Sequence, residues 1–213
     1  MRLNYLTVGI ALATLCSAAH ATTFTFNTDP FAGTNVLNTP GRQIVGGEDF
    51  ISFDTSKDVF SLDSTVFGTG NTVNFVNATA PNLPASGENV VVLETFDNDN
   101  NTGTPFGAGN AADLIASQIT TPGAGFFIYF NQALNLPRLV YSTDLSSSNA
   151  DLKVLARMLN LTGAEGMNAL PSFTASNFSI SAAAPEPSTL SMFVGVGLIC
   201  VGYCGFRRKR VRT

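Results

Sequence analysis

The chain is poor in the residues that most catalytic and metal sites require. Its 213 residues include no Trp, one His and three Cys. All four of these His and Cys residues lie near the two ends of the chain, at Cys16, His20, Cys200 and Cys204. Residues 22–184 therefore lack the bases and ligands of Ser-His-Asp and Cys-His catalysis and of ordinary zinc and copper sites. This part of the chain must also fold without a disulfide.

Positive charge is scarce in the same part of the chain. Residues 22–184 carry 14 acidic and five basic side chains, a net charge of -9, whereas the whole chain has -4. A nucleic-acid-binding protein needs clustered Lys or Arg, so we expect no nucleic-acid partner. An acidic surface of this kind suits solubility, a hydrated matrix or cations.

The first residues have the order expected of a secretory signal peptide. Arg2 precedes an apolar stretch over residues 6–15, and Ala19-His20-Ala21 then fits the small-x-small cleavage pattern. Residues 1–21 are thus predicted to be a signal peptide, with Ala19 and Ala21 as its cleavage residues. Signal peptidase would leave Thr22 as the first residue.

The end of the chain has the pattern of a membrane segment. Residues 190–206 form an apolar run without a charged side chain, close to the length that crosses a bilayer core. A basic cluster follows it, formed by Arg207, Arg208, Lys209 and Arg210. The positive-inside rule places this basic tail, residues 207–213, in the cytoplasm and the preceding domain across the inner membrane. A buried core helix, the alternative interpretation, would seldom end against such a cluster.

A short motif precedes the apolar run. Pro185, Glu186 and Pro187 lie in a linker, residues 182–189, that the two prolines keep extended. The order of Pro-Glu-Pro, apolar run and basic cluster resembles the PEP-CTERM sorting signal of Gram-negative bacteria, also described as the ice-binding protein C-terminal domain. The resemblance covers residues 185–212 alone. It implies recognition by an exosortase-type membrane protease, in hosts that make exopolysaccharide or biofilm matrix.

Residues 22–181 are predicted to form one mainly β exported domain. Phe24 and Phe26 alternate along a first strand, and residues 90–93 are continuously apolar, as in a strand buried on both faces. Further short apolar runs are separated by Gly- and Asn-containing turns. This pattern predicts a β-sandwich or jelly-roll-like fold with one or two short helices, and 15 Phe residues supply its core.

Two helices are expected within this domain. Asn110 is the predicted N-cap of a helix over the following residues. Ser148 is the predicted N-cap of a second helix over 149–160, with Asp151 completing a capping box. Leu152, Leu155, Ala156 and Leu159 have the spacing of one helical face, and Gly163 is the expected stop.

One loop has oxygen ligands at alternate positions. Asp97, Asp99 and Asn101 resemble the start of a calcium loop, with Asp113 as a further candidate ligand. Thr102 stands where an EF-hand needs Gly, and Ala108 stands where it needs Glu, so this is not an EF-hand. A looser calcium site and an ordinary Asx-rich turn are the two alternatives.

These patterns predict an exported cell-surface or matrix protein with a non-catalytic structural or adhesive role. A glycan- or calcium-binding module is the alternative, with Tyr129 and Tyr141 as candidate sugar-stacking residues. An enzyme would have to use carboxylates alone, as glycoside hydrolases do. The candidates for that role are Glu48, Asp49, Asp54, Glu88 and Glu94.

Overall fold

The structure is a computed structural model of the chain, and it describes residues 20–101 and 103–182. The predicted linker motif, apolar run, basic cluster and Ala19 lie outside these residues, as does most of the predicted signal peptide. Within the described ranges, no helix is long and apolar enough to cross a membrane.

The described chain is built mainly from short strands. Residues 20–101 and 103–182 form ten strands: β1 Thr23–Phe26, β2 Ile44–Val45, β3 Asp49–Ile51, β4 Val59–Asp63, β5 Phe75–Ala78, β6 Val90–Leu93, β7 Gly125–Asn131, β8 Leu136–Ser142, β9 Leu152–Met158 and β10 Phe178–Ser181. Three α-helices accompany them: α1 Ser64–Phe67, α2 Ala108–Ala116 and α3 Gly163–Ala169. Single turns of 3-10 helix occur at Ala80–Asn82, Leu170–Ser172 and Ala175–Asn177. The prediction of a mainly β domain is confirmed.

The strands form two sheets. A three-stranded sheet has the order β1-β4-β10, and a seven-stranded sheet has the order β2-β9-β8-β7-β6-β5, with β3 also paired to β9. Among the described strands, the β7–β8 and β8–β9 pairings are antiparallel and the other six are parallel. A jelly roll pairs its strands antiparallel, so the observed pairing differs from that part of the prediction.

The large sheet is covered on both faces. One apolar cluster contains side chains of both sheets, and the rings of Phe75 on β5 and Phe178 on β10 lie 5.7 Å apart across it. A second cluster lies on the opposite face, where α2 buries Ala111 and Ile115 against the sheet. Residues 90–93 on β6 are completely buried, as predicted, because this strand lies between the two clusters.

The predicted helix over 149–160 is wrong, because this segment forms strand β9. Leu139 of β8 pairs with Ala156 and Val140 pairs with Val154, so Leu155 is an extra residue at a bulge. The bulge turns both Leu155 and Ala156 into the cluster between the sheets. Because two adjacent apolar residues lie on one face, the apolar residues of this strand have a spacing that resembles one face of a helix.

The expected capping residues have other roles. The Asp151 carboxylate accepts a hydrogen bond from the Gln43 amide at 2.8 Å, which fixes the segment entering β2 rather than a helix. Gly163 begins α3 instead of ending a helix.

Helix α2 is present, but it begins two residues before the predicted N-cap. Asn110 lies in its first turn, and its side-chain oxygen accepts a hydrogen bond from the Gly107 amide at 3.0 Å.

Candidate functional site

A row of aromatic and charged side chains crosses the large sheet. Tyr129 on β7 is paired with Arg138 on β8, which is paired with Arg157 on β9, which is paired with Phe50 on β3. Tyr129 belongs to the cluster beneath α2, whereas the residues on either side of it face the small sheet. Alternation along the strands therefore places this row on the face that carries α2.

Glu48 joins the two arginines of the row. It lies just before β3, and its Oε1 accepts hydrogen bonds from Nη2 of Arg138 and from Nε of Arg157, the latter at 2.5 Å. The Glu48 side chain is 5% exposed, against 12% for Arg138 and 29% for Arg157. Two like charges lie side by side on neighbouring strands, and the single carboxylate pairs with both of them. We call Glu48, Arg138 and Arg157 the Glu48 cluster.

The environment of Glu48 holds its carboxyl group ionised. Burial acts to raise its pKa, but hydrogen bonds from its own backbone amide, Arg157 and Arg138 together lower the pKa to about 2. A carboxyl group with this pKa has no proton to donate near neutral pH, and its Oε1 is already hydrogen-bonded to both arginines. Glu48 is thus fitted to organise the sheet rather than to act as a general acid.

The Glu48 cluster has a buried end and an exposed end. At the buried end, the Tyr129 hydroxyl accepts hydrogen bonds from Asn131 Nδ2 at 2.9 Å and from Arg138 Nη1 at 3.4 Å. At the exposed end, the Arg157 guanidinium lies 5.3 Å from the centre of the Phe50 ring. Phe50 is 64% exposed, so this stacked pair is the part of the row that another molecule can reach.

The other candidate carboxylates are spread over the molecule. Asp54 lies in a turn, where its carboxylate accepts hydrogen bonds from the Ser56 hydroxyl and amide and lies 3.4 Å from Lys57 Nζ. The hydrogen bonds from Ser56 are the main cause of its lowered pKa. Asp49 begins β3, Glu88 precedes β6, and Glu94 follows it. Glu48 is bound to two arginines rather than to a second carboxylic acid.

The residues of the predicted calcium loop bind their own backbone. Asp97 Oδ1 accepts hydrogen bonds from the Asp99 and Asn100 amides, and Asp99 Oδ1 accepts one from the Asn101 amide at 2.9 Å. Asp99 Oδ2 also accepts a hydrogen bond from Thr104 Oγ1, and this bond is the largest cause of its lowered pKa. These contacts form consecutive Asx turns.

Asp113, the further candidate ligand of that loop, is bound elsewhere. Its carboxylate lies 2.9 Å from Nη1 of Arg42, which joins α2 to the segment before β2. No group of three or more His, Cys, Asp or Glu side chains suited to a metal is found within residues 20–101 and 103–182. The looser calcium site stays an untested alternative to the Asx-rich turn.

The expected sugar-stacking residues are not available at the surface. Tyr129 is completely buried and Tyr141 is 6% exposed. The Tyr141 hydroxyl donates a hydrogen bond to the Phe67 carbonyl oxygen at 2.8 Å, and burial raises its pKa. The assignment of these two tyrosines to a glycan surface is wrong, because both rings belong to the core.

A second feature is a depression beside the first described residues. Its volume is about 510 Å³, and its lining includes His20, Thr22, Phe53, Asp54 and Asp58. The Thr22 amide donates a hydrogen bond to Asp58 Oδ1 at 2.8 Å inside this region. The wall of the depression is therefore fixed to the start of β1.

Sequence reasoning missed the Glu48 cluster, although one signal was present. Arg138 and Arg157 are two of only five cations in residues 22–184, and each lies within a largely buried strand. A cation in a buried strand requires a nearby counter-charge. Choosing Glu48 among 14 acidic residues required the pairing of β3 with β9.

Comparison with known proteins gives no matching family model, no matching curated protein and no matching solved structure.

Proposed function

We propose that this chain is an exported cell-surface or extracellular-matrix protein with a structural or adhesive, non-catalytic role. Its N-terminal segment directs export and is removed by signal peptidase. Its C-terminal tail, similar to a PEP-CTERM signal, holds the chain in the inner membrane until an exosortase-type protease acts on it. The body then works at the outer surface or in the matrix, together with exopolysaccharide.

The observation that carries this proposal is the position of the fold between the two signals. The first described strand begins at Thr23, immediately after the expected new N-terminus, and the last described strand ends at Ser181, shortly before Pro185. Both strands are hydrogen-bonded to β4 in the same small sheet. Processing at either signal would therefore remove no residue of the sheet and leave the fold intact.

The chemistry of the body supports a non-catalytic role. The Glu48 carboxylate compensates Arg138 and Arg157, and the Asp97 and Asp99 oxygens accept hydrogen bonds within their own loop. The acidic groups at both positions thus stabilise the structure, while the net negative charge of the body suits a hydrated polysaccharide matrix.

Fractionation of the native strain, with the intact mass of the mature chain, tests this proposal. We expect a chain that begins at Thr22, lacks its basic tail and is found outside the inner membrane. The Glu186→Ala variant should accumulate in the inner membrane at its longer mass. The matched Glu165→Ala variant, which changes a glutamate in α3, should be sorted normally. A wild-type chain that keeps its full C-terminus in the inner membrane would overturn the sorting role.

Glycan binding is a second candidate function, and the Phe50–Arg157 pair favours it. An exposed ring backed by a guanidinium offers both a stacking face and hydrogen-bond donors to a sugar. Host exopolysaccharide should then raise the melting temperature of the wild-type chain but not that of Phe50→Ala. An equal shift in both chains would exclude this pair as the binding surface.

A further inference from the structure

Asp58 is a buried carboxylate directed at the start of β1. It is 4% exposed and precedes β4. Its Oδ1 accepts a hydrogen bond from the Thr22 amide at 2.8 Å, and its Oδ2 accepts one from the Asp54 amide at 2.9 Å. The Asp58 carbonyl oxygen accepts a further bond from Asn177 Nδ2, which holds the residue to the segment before β10. The Asp58 carboxylate is thus bonded to two segments of the chain, and its backbone is bonded to a third.

This carboxylate has no cationic partner among the residues that the structure describes. The four ion pairs of the described chain involve Asp113, Asp54 and Glu48, and the neighbouring Lys57 is paired with Asp54. Two amide hydrogen bonds are its observed side-chain contacts. A buried carboxylate is costly without a compensating charge.

We infer that Asp58 is a binding site for the α-ammonium group created when the chain is cleaved after Ala21. This inference rests on the export and processing proposed above. Hydrolysis of the Ala21–Thr22 peptide bond gives the hydroxyl of water to the Ala21 carbonyl carbon and a hydrogen to the Thr22 nitrogen. That nitrogen takes a second proton at neutral pH, since an α-amino group has a pKa of about 7.7–8.0. The missing positive charge then arises 2.8 Å from Asp58 Oδ1.

The surroundings suit an ammonium group better than an amide. Thr22 is exposed and lines the 510 Å³ depression, so the additional N–H groups face a space that water can enter. His20, which also lines the depression, leaves with the removed segment. The Thr22 carbonyl oxygen accepts a hydrogen bond from the Val59 amide at 2.9 Å, so the nitrogen is held in position.

Processing would therefore strengthen an edge of the small sheet. β1 is an outer strand of this sheet, and its pairing with β4 begins at Thr23 and Val59. An ion pair one residue before that point fixes the strand where fraying would start. The mature chain is then more stable than its precursor, which favours completion of the fold after export.

The test compares chains that differ at the first residue and keep the whole C-terminus. One begins at Thr22, a second begins at Ala21, and a third begins at Thr22 with an acetylated amine. Each chain can be released from a removable tag or blocked in vitro, so the comparison does not require export. We expect the melting temperature of the free Thr22 chain to lie about 3–5 °C above that of the other two chains. A shift of this size corresponds to a roughly tenfold change in the unfolding equilibrium constant of a chain of this length.

Asp58→Asn should abolish the difference between the Thr22 and Ala21 chains. Should this variant fail to fold, the acetylated chain still tests the charge with Asp58 intact. Equal melting temperatures for the free and acetylated chains would overturn the Asp58 site and leave the export proposal standing. N-terminal sequencing of the exported protein is the separate test of processing, and a first residue other than Thr22 would overturn the inference whatever the melting data show.

Discussion

The rings of Phe53 and Phe60 are stacked, with centroids 4.3 Å apart and planes 8° from parallel. Phe53 follows β3 of the large sheet and Phe60 lies on β4 of the small sheet, so the stack joins the two sheets. Phe173 continues it on Phe53 at 5.5 Å. The stack is therefore a fixed point of the core between the sheets.

Truncation of Phe53 should have a large effect on stability. Phe53→Ala removes a completely buried ring and leaves a cavity between the sheets, so we expect a loss of about 3–5 kcal/mol in the free energy of unfolding. Phe50→Ala, three residues earlier and 64% exposed, is the matched control and should cost less than about 1 kcal/mol. Urea denaturation measures both values, and similar losses would contradict this account of the core.

Removal of the charge at Glu48 should destabilise the protein, because the two neighbouring arginines then repel each other without a counter-charge. Glu48→Gln leaves Arg138 and Arg157 on neighbouring strands without their carboxylate, and we expect a loss of about 3 kcal/mol. Glu88→Gln makes the same change at a half-buried glutamate that forms no ion pair with any described residue. That control should stay within about 0.5 kcal/mol of wild type.

The same residue gives the protein a defined response to acid. Glu48 has a pKa of about 2 when folded and an ordinary value of 4.5, so the unfolded chain binds the proton first as the pH falls. The stability contributed by Glu48 is present above pH 4.5 and is lost progressively toward pH 2. The stability difference between wild type and Glu48→Gln, measured by urea denaturation, should narrow over this interval. A difference independent of pH would show that Glu48 is not ionised in the fold.

Gly166 should not tolerate the smallest side chain. Alanine normally stabilises a helix interior relative to glycine by about 1 kcal/mol, but a Cβ here would lie 2.4 Å from the Leu161 carbonyl oxygen and 3.0 Å from the Phe130 ring. We expect Gly166→Ala to destabilise the protein by about 1–3 kcal/mol. Gly123→Ala, where nothing lies within 4 Å of the added atom, is the control. Thermal melting of both variants shows directly whether each alanine raises or lowers the stability.

Calcium should leave the loop after β6 unchanged, because its carboxylates already accept hydrogen bonds from the loop itself. Asp99→Ala removes the acceptor of the Asn101 amide and of the Thr104 hydroxyl. We expect faster amide exchange at Asn101 in this variant, with little change in global stability. Isothermal titration of the wild-type chain should give no heat with calcium. A calcium-dependent rise in melting temperature that Asp99→Ala abolishes would establish the alternative, a cation site.

Local sequence patterns predicted the strands well where the apolar residues followed a single regular pattern along the strand. Phe24 and Phe26 alternate and pack on the core between the sheets, and residues 90–93 are buried on both faces. The same reasoning wrongly predicted a helix for strand β9, because the bulge at Leu155 places two consecutive side chains on one face. Local spacing cannot distinguish that arrangement from a helix. The segment is a strand because it pairs with β8, β2 and β3.

The candidate sites depended on pairings between distant parts of the chain. Tyr141 is of a residue type that often stacks on sugars, yet its position in the antiparallel β7–β8 pair places the ring in the core. Glu48 meets Arg138 and Arg157 only because β3 pairs with the second half of β9. The acidic composition indicated many carboxylates without indicating which one had arginine partners.

The parallel pairing of β10 with β4 sets the order in which the domain can be completed. Asn177 bonds to Asp58, 119 residues earlier, and Ile180 then pairs with Leu62. Contacts of such long range form slowly, since most of the chain must be available first. A chain that stalls before Phe178 would leave one edge of β4 open to strands of other molecules. Among the described strands, β10 is the last along the chain, and its pairing closes the edge of β4 that an incomplete chain would leave open.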